Sequence, residues 1–188
     1  MLTEIFRILI NVLKIDKNFF KDNKNFGEAS IYFAILLIII GALISIVPNG
    51  SFLAYMGSQF NIGPVQGPSL RVVLITSLIM WFLKTTYLFF VGTILFPSKK
   101  TNCNYRKIFI LVAYCQVPLF LNILILNQIF LFWAVITYIW YNISLIVGLK
   151  IFLNYDGYVK SILVSLAPQI IFLMYILSVF QANNVNFS

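Results

Sequence analysis

From Ile108 to Leu149 the chain runs for 42 residues without one charged side chain. Built as a single α-helix at about 1.5 Å per residue, that stretch would reach about 63 Å. A bilayer's hydrocarbon core is roughly 30 Å thick, so the stretch is twice too long to cross once and must fold back. Asn127-Gln128 is the polar pair placed to make the turn. The expected product is a tight antiparallel hairpin of 108–126 and 129–149. The rest of the composition agrees with a lipid environment. Of 188 residues, 61% are hydrophobic and only 10% charged, and the mean hydropathy is +0.96. A soluble domain carries about 25% charged residues. The chain is read as an all-α, polytopic membrane helix bundle.

Three further apolar segments bring the expected transmembrane helices to five: 29–47, 72–96 and 161–180. Only 72–96 contains a charge, Lys84. Residues 1–15 differ. Glu4, Arg7, Asn11 and Lys14 form one helical stripe, with Leu, Ile, Phe and Val on the other faces. This piece is too short and too charged to cross. It is expected as an N-terminal amphipathic helix, lying in the interface or packed on the bundle. The same charges interrupt any signal-peptide apolar region. The organisation is therefore a basic, amphipathic segment 1–28, a five-span domain 29–180 and a short tail 181–188. Pro48–Leu70 is an uncharged loop rich in Gly and Pro, in which Phe52–Met56 can form a short helical turn. Asn154-Tyr155-Asp156-Gly157 has turn composition.

The net charge of +8 is distributed by side. Arg7, Lys14, Lys17, Lys21 and Lys24 precede the first span. Lys99, Lys100, Arg106 and Lys107 lie between the second and third, and Lys150 and Lys160 between the fourth and fifth. These eleven fall on one side, and only Arg71 falls on the other. By the positive-inside rule the eleven face the cytoplasm, with the N-terminus inside and the C-terminus outside. An odd number of spans is what that requires. The charge thus points to the lipid bilayer and its anionic headgroups as partners, not to nucleic acid.

Much catalytic chemistry is excluded. Histidine is absent, and the five acids all lie outside the apolar segments. No phosphate-binding Gly-rich loop, paired catalytic carboxylates or metal-ligand spacing is present. No metal, cofactor or enzymatic activity is expected. Cys103 and Cys115 do not make a disulfide scaffold. Cys103 sits among Lys99, Lys100, Arg106 and Lys107, which would lower its pKa; without a partner Cys or His it reads as an ordinary loop thiol.

Lys84 is the sharpest residue. It stands at the midpoint of 72–96, where a lysine costs about 2.5–3.5 kcal/mol on insertion scales. Trp81 and Tyr87, at i−3 and i+3, can offer it ring faces. It is read either as a site for a lipid phosphate or anionic substrate, or as a snorkelling lysine. Gln116, Tyr138 and Gln169 stand near the midpoints of the last three spans, so a midplane polar layer with Lys84 is expected. Such a layer is either a central site of the transporter kind or interhelical hydrogen bonding. The first span centres on Ile38, is apolar around it, and is expected to be the most peripheral. Thr137, Tyr141, Ser144 and Gly148 form one packing stripe, and Ser161, Ser165 and Gln169 another. Pro118 and Pro168 are expected to kink their helices.

Phe19-Phe20 stands just before the first span. Tyr105-Arg106-Lys107 leads to Ala113-Tyr114-Cys115-Gln116-Val117-Pro118, followed later by Trp140 and Gly148-Leu149-Lys150, and then by Lys160. In these features and in its span pattern the chain resembles the Yip family of five-pass membrane proteins (Ypt-interacting proteins), in its prokaryotic form. The family-like motif residues are Tyr114, Pro118 and Gly148. Asp16-Lys17-Asn18 stands where prokaryotic relatives often carry a proline before the Phe pair. The resemblance implies a non-enzymatic scaffold or adaptor in a bacterial cytoplasmic membrane. It would recruit a protein partner, a second copy or anionic lipid at its basic face. The competing expectation is a small transporter, channel or lipid-handling protein working through Lys84.

Overall fold

The computed structural model describes residues 2–27, 30–44, 69–98, 103–124 and 130–184. Among these, all regular structure is helical. Helix α1 (Leu2–Leu13) and the short α2 (Lys17–Lys21) are followed by a 3-10 turn, Asn23–Phe26. Helix α3 is Ser30–Ile44. Helix α4 (Leu70–Phe90) continues into a π turn, Val91–Leu95. Then come α5 (Tyr105–Cys115), α6 (Val117–Phe120) with a 3-10 turn at Leu121–Leu124, α7 (Phe130–Phe152) and α8 (Tyr158–Asn184). By length and hydropathy, Leu70–Leu95 and Phe132–Phe152 are able to cross a membrane, and Ser30–Ile44 is a shorter apolar helix. The Asn127-Gln128 turn and the Phe52–Met56 segment lie outside the described residues.

The fold-back of the long uncharged stretch is visible in its side-chain pairs. Thr137 donates to Asn122 Oδ1 at 2.8 Å, and the Trp133 indole donates to the Leu121 carbonyl at 3.2 Å. Further along, Leu111 packs where Gly148 lacks a side chain. One index falls as the other rises, so α5–α6 and α7 run antiparallel. A Cβ added to Gly148 would overlap Leu111 Cδ1, and both residues are buried. The small residue is therefore a condition of this close approach.

The first arm of the hairpin is not one continuous helix. It breaks at Gln116, where the Gln116 N–H turns back to Ala113 O at 3.2 Å and Leu119 N–H to Gln116 O at 2.9 Å. Pro118 cannot donate, so it sits in the first turn of a new helix, α6, where no donor is needed. Pro168, by contrast, lies inside α8, which runs through it.

The expected peripheral position of the first span is corrected. Ala34, Leu37, Ile38 and Ala42 of α3 are buried, at the i, i+3, i+4, i+8 spacing of one helical face. Among the described residues, α4 turns most apolar surface outward, with Val72, Ile75, Leu78, Ile79 and Phe82 all exposed. An apolar centre says that a helix can face lipid, and neighbouring helices decide whether it does.

One end of the bundle is tied together by long-range contacts. The Tyr155 phenol donates to the Gly92 carbonyl in the π turn at 2.9 Å, and Ser98 donates to the Asn154 carbonyl at 2.9 Å. Phe26 meets Phe152 edge-on at 4.6 Å. This end thus gathers the C-termini of α4 and α7, the N-termini of α5 and α8, and the chain leading to α3. The turn after α7 closes through Asn154, in the left-handed region at φ 50°, with Tyr155 N–H on Lys150 O at 3.0 Å. Helix α1 ends the same way through Ile15 at φ 54°, a strained choice for a β-branched residue. Helix α1 packs beside α5 and α6. Val12 is fully buried, Phe6 and Ile10 are exposed, and the Trp140 indole donates to the Leu13 carbonyl at 3.0 Å.

Gly148→Leu is expected to destabilise the detergent-solubilised protein by about 1–3 kcal/mol, the usual cost of overpacking. Adding Leu111→Ala should recover part of the loss. A thermal transition unmoved by Gly148→Leu would contradict the close approach.

Candidate functional site

Two groups of residues singled out by sequence come together in space, and they do so in different places. Trp81, Lys84, Tyr87, Gln116, Tyr138 and Gln169 all line one cavity of about 620 Å³. Its walls come from α3, α4, the α5–α6 break, α7 and α8, with Ile38, Ala42, Met80, Leu83 and Leu119 as apolar surface. Gln116 reaches the cavity because the helix breaks there.

Lys84 is half-buried and turned inward. Its ammonium sits 4.3 Å from the centroid of the Tyr141 ring on α7. The expected ring partners, Trp81 and Tyr87, are on its own helix; the one found comes from across the bundle. Trp81 instead packs on Phe109 at 3.8 Å. A cation–π contact contributes about 0.5–2 kcal/mol, less than the roughly 2.5–3.5 kcal/mol that a mid-span lysine costs. The ring offsets only part of the charge.

The remaining polar groups divide. Gln169 Nε2 donates to Asn142 Oδ1 at 2.9 Å, and Asn142 Nδ2 donates to the Tyr138 carbonyl at 2.9 Å. That pair ties α8 to α7 and is interhelical hydrogen bonding. The Gln116 side chain makes no hydrogen bond among the described residues and faces the cavity. Asn142 was not among the expected residues; no pattern in the sequence separates it from a lipid-facing asparagine. Tyr141 was visible only as a member of the Thr137–Gly148 packing stripe.

The second group surrounds Tyr114, which is fully buried in α5. Its phenol donates to the Asn25 carbonyl at 3.2 Å. Its ring meets Phe26 at 5.5 Å, Phe33 at 5.8 Å and Phe19 at 6.0 Å. Asn25 is held in turn, giving its Nδ2 hydrogen to the Phe19 carbonyl at 3.0 Å and accepting from Arg7 at 3.5 Å. Asp16 and Asp22 cap α2 and the following 3-10 turn through the N–H groups of Asn18 and Lys24. Two of the five acids are thus structural. The family-like residues hold shape: Tyr114 seats the N-terminal arm, Pro118 starts α6 and Gly148 admits Leu111.

The seated arm carries Lys17, Lys21 and Lys24 exposed. Arg106 and Lys107 open α5, and Asn104 caps it. Lys150 lies 3.9 Å over the Tyr158 ring and Lys160 5.9 Å over Tyr155. Lys99 and Lys100 lie outside the described residues. Cys103 departs from the expected lowering of its pKa: burial pushes the thiol up to about 11, outweighing the opposing pull of Lys107. Burial likewise pushes the Tyr155 phenol up to about 12, so it remains a neutral donor to Gly92.

The sequence model of the family described as the Yip1 domain matches residues 10–180. No curated protein and no solved structure matches the chain.

Tyr114→Phe removes the hydroxyl and leaves the Asn25 carbonyl buried without its donor. It should cost about 1–3 kcal/mol and speed proteolysis at Lys17–Lys24; an unchanged digestion rate would show that the arm is seated without Tyr114. Alkylation of Cys103 proceeds through the thiolate. In a Cys115→Ala background its rate should rise about tenfold per pH unit from pH 7 to 10, since the thiol pKa is about 11. A plateau below pH 9 would contradict the burial.

Proposed function

The chain belongs to the Yip1-domain family of membrane proteins, and on that premise we propose that it is a non-enzymatic scaffold with five spans. In this reading the N-terminus is cytoplasmic, and the basic face recruits a protein partner or anionic lipid. The observation that carries the reading is the seating of the basic arm. Lys17, Lys21 and Lys24 are not on a loose tail. They are anchored through Phe19, Asn25 and Phe26 to Tyr114 in the bundle. The end of the bundle that receives Phe26 also carries Arg106, Lys107, Lys150 and Lys160. A rigid array of cations attracts an anionic surface without first paying to order itself, at about 1 kcal/mol per Lys or Arg near a membrane. The eleven-to-one distribution of Lys and Arg supports the cytoplasmic placement of that end. The lack of histidine and of any acid within an apolar segment supports a role without catalysis.

The test has two arms. In a background lacking Cys103 and Cys115, a cysteine at Asn61 should label from outside the membrane and one at Lys24 from the cytoplasm. Labelling of Asn61 only from the cytoplasm would reverse the orientation. For recruitment, a photo-crosslinking residue at the exposed Asn18 should capture protein or anionic lipid in native membranes. Lys17→Gln, Lys21→Gln and Lys24→Gln together should reduce the yield at least fivefold. Equal capture by the neutralised arm would remove the recruiting role.

A further inference from the structure

The cavity at Lys84 holds a charge that no carboxylate among the described residues is seen to pair. Every acid in the chain lies at or before Glu28, or at Asp156, so no residue from Ala29 to Tyr155 and none after Asp156 is acidic. Lys84 therefore has no carboxylate on α3 to α8. Its ammonium lies over the Tyr141 ring, with the neutral Cys115 thiol as a further neighbour. It is also not snorkelling toward the bundle end. Its ammonium is held over a ring on the opposite helix, in the wall of the cavity.

We propose that this cavity binds the anionic head of a membrane amphiphile, with Lys84 as its counter-ion and the apolar wall as the seat of its chain. Three features favour that occupant. The cavity volume, about 620 Å³, falls within the roughly 300–1,000 Å³ of small-ligand sites. The polar groups that line the cavity with the cation are all neutral, the Gln116 amide and the Tyr138 phenol among them able to donate to head oxygens, while Ile38, Ala42, Met80 and Leu83 offer only hydrocarbon. The depth also suits an amphiphile. Lys84 precedes Gly92, at the level of the α7–α8 turn, by eight residues, or about 12 Å of helix. A head drawn in from that end would meet the ammonium within one leaflet of a core roughly 30 Å thick. The shared chemistry is a carboxylate or phosphate head on an acyl chain.

Trp81 supplies the readout, because it lines the cavity. The full chain, in neutral detergent, is titrated with 9,10-dibromostearate, with its uncharged methyl ester, and with dibromostearoyl-lysophosphatidate, while tryptophan fluorescence is followed. Saturable quenching by at least one anionic probe is expected, and none by the ester. The acid that saturates first identifies the head as carboxylate or phosphate. Trp81→Phe should lose the saturable part. Lys84→Met should weaken binding at least tenfold, and Lys84→Arg should stay within a few-fold of the wild type because it keeps the charge. Should Lys84→Met fail to fold, Ala42→Phe, which fills the cavity from α3 and keeps the lysine, must show the same loss. Equal quenching by the ester, equal affinity in Lys84→Met, saturable quenching retained in Trp81→Phe, or no saturable quenching by either acid would each overturn the site.

Discussion

The contact between Leu111 and Gly148 sets the register of the hairpin, and the hairpin sets most of what surrounds it. With no charge over 42 residues, no ion pair between the two arms can hold them in one alignment. Shape does so instead. A leucine occupies the space a side chain at Gly148 would need, and the polar pairs at the far end, Asn122 with Thr137 and Leu121 with Trp133, fall into place at the same alignment. In lipid, apolar attraction between helices is weak, because acyl chains are as apolar as leucine. A close fit at one small residue and a few hydrogen bonds then decide the pairing.

From that register two consequences spread in opposite directions. Toward one end, Tyr114 is presented where the arm before α3 can lie against it. An amphipathic segment with basic groups becomes part of the body of the protein. Toward the middle, the break at Gln116 faces Tyr138 and Tyr141 across a gap that α4 closes with Lys84. The same hairpin therefore supports a packed, aromatic junction and an unfilled, polar-edged cavity a few turns away. Cores of membrane proteins are dense where small residues let backbones meet. They open where a broken helix leaves the groove between its neighbours unfilled.

What could be read from the chain beforehand is what depends on composition along it. The ends of α4 and α7, the fold-back, the turn at Asn154–Gly157 and the helix in residues 1–15 follow from where charges, prolines and turn formers lie. The meeting of Trp81, Lys84, Tyr87, Gln116, Tyr138 and Gln169 on one cavity was partly legible too, because matching depths in antiparallel spans is arithmetic. Rotation about each helix axis was not. Ile38 faces inward and Ile79 outward, and both are apolar residues in apolar runs. Tyr141, rather than Trp81 or Tyr87, takes the Lys84 ammonium for the same reason. The seating of Phe19 and Phe26 on Tyr114 joins residues roughly ninety positions apart in the chain, and no local pattern carries that information.

The π turn at Val91–Leu95 bears on rotation in a way that the contacts alone do not express. Phe96 N–H reaches back five residues to Val91 O, so this turn holds one residue more than an α-turn. The wider turn takes up that surplus residue at and beyond the Gly92 carbonyl that Tyr155 pins, so the helix before it runs to the anchor in ordinary α winding. Each residue of helix advances the azimuth by about 100°, and Lys84 stands eight residues before Gly92. The direction in which the cation faces is therefore fixed at a distance, by an anchor that it does not touch.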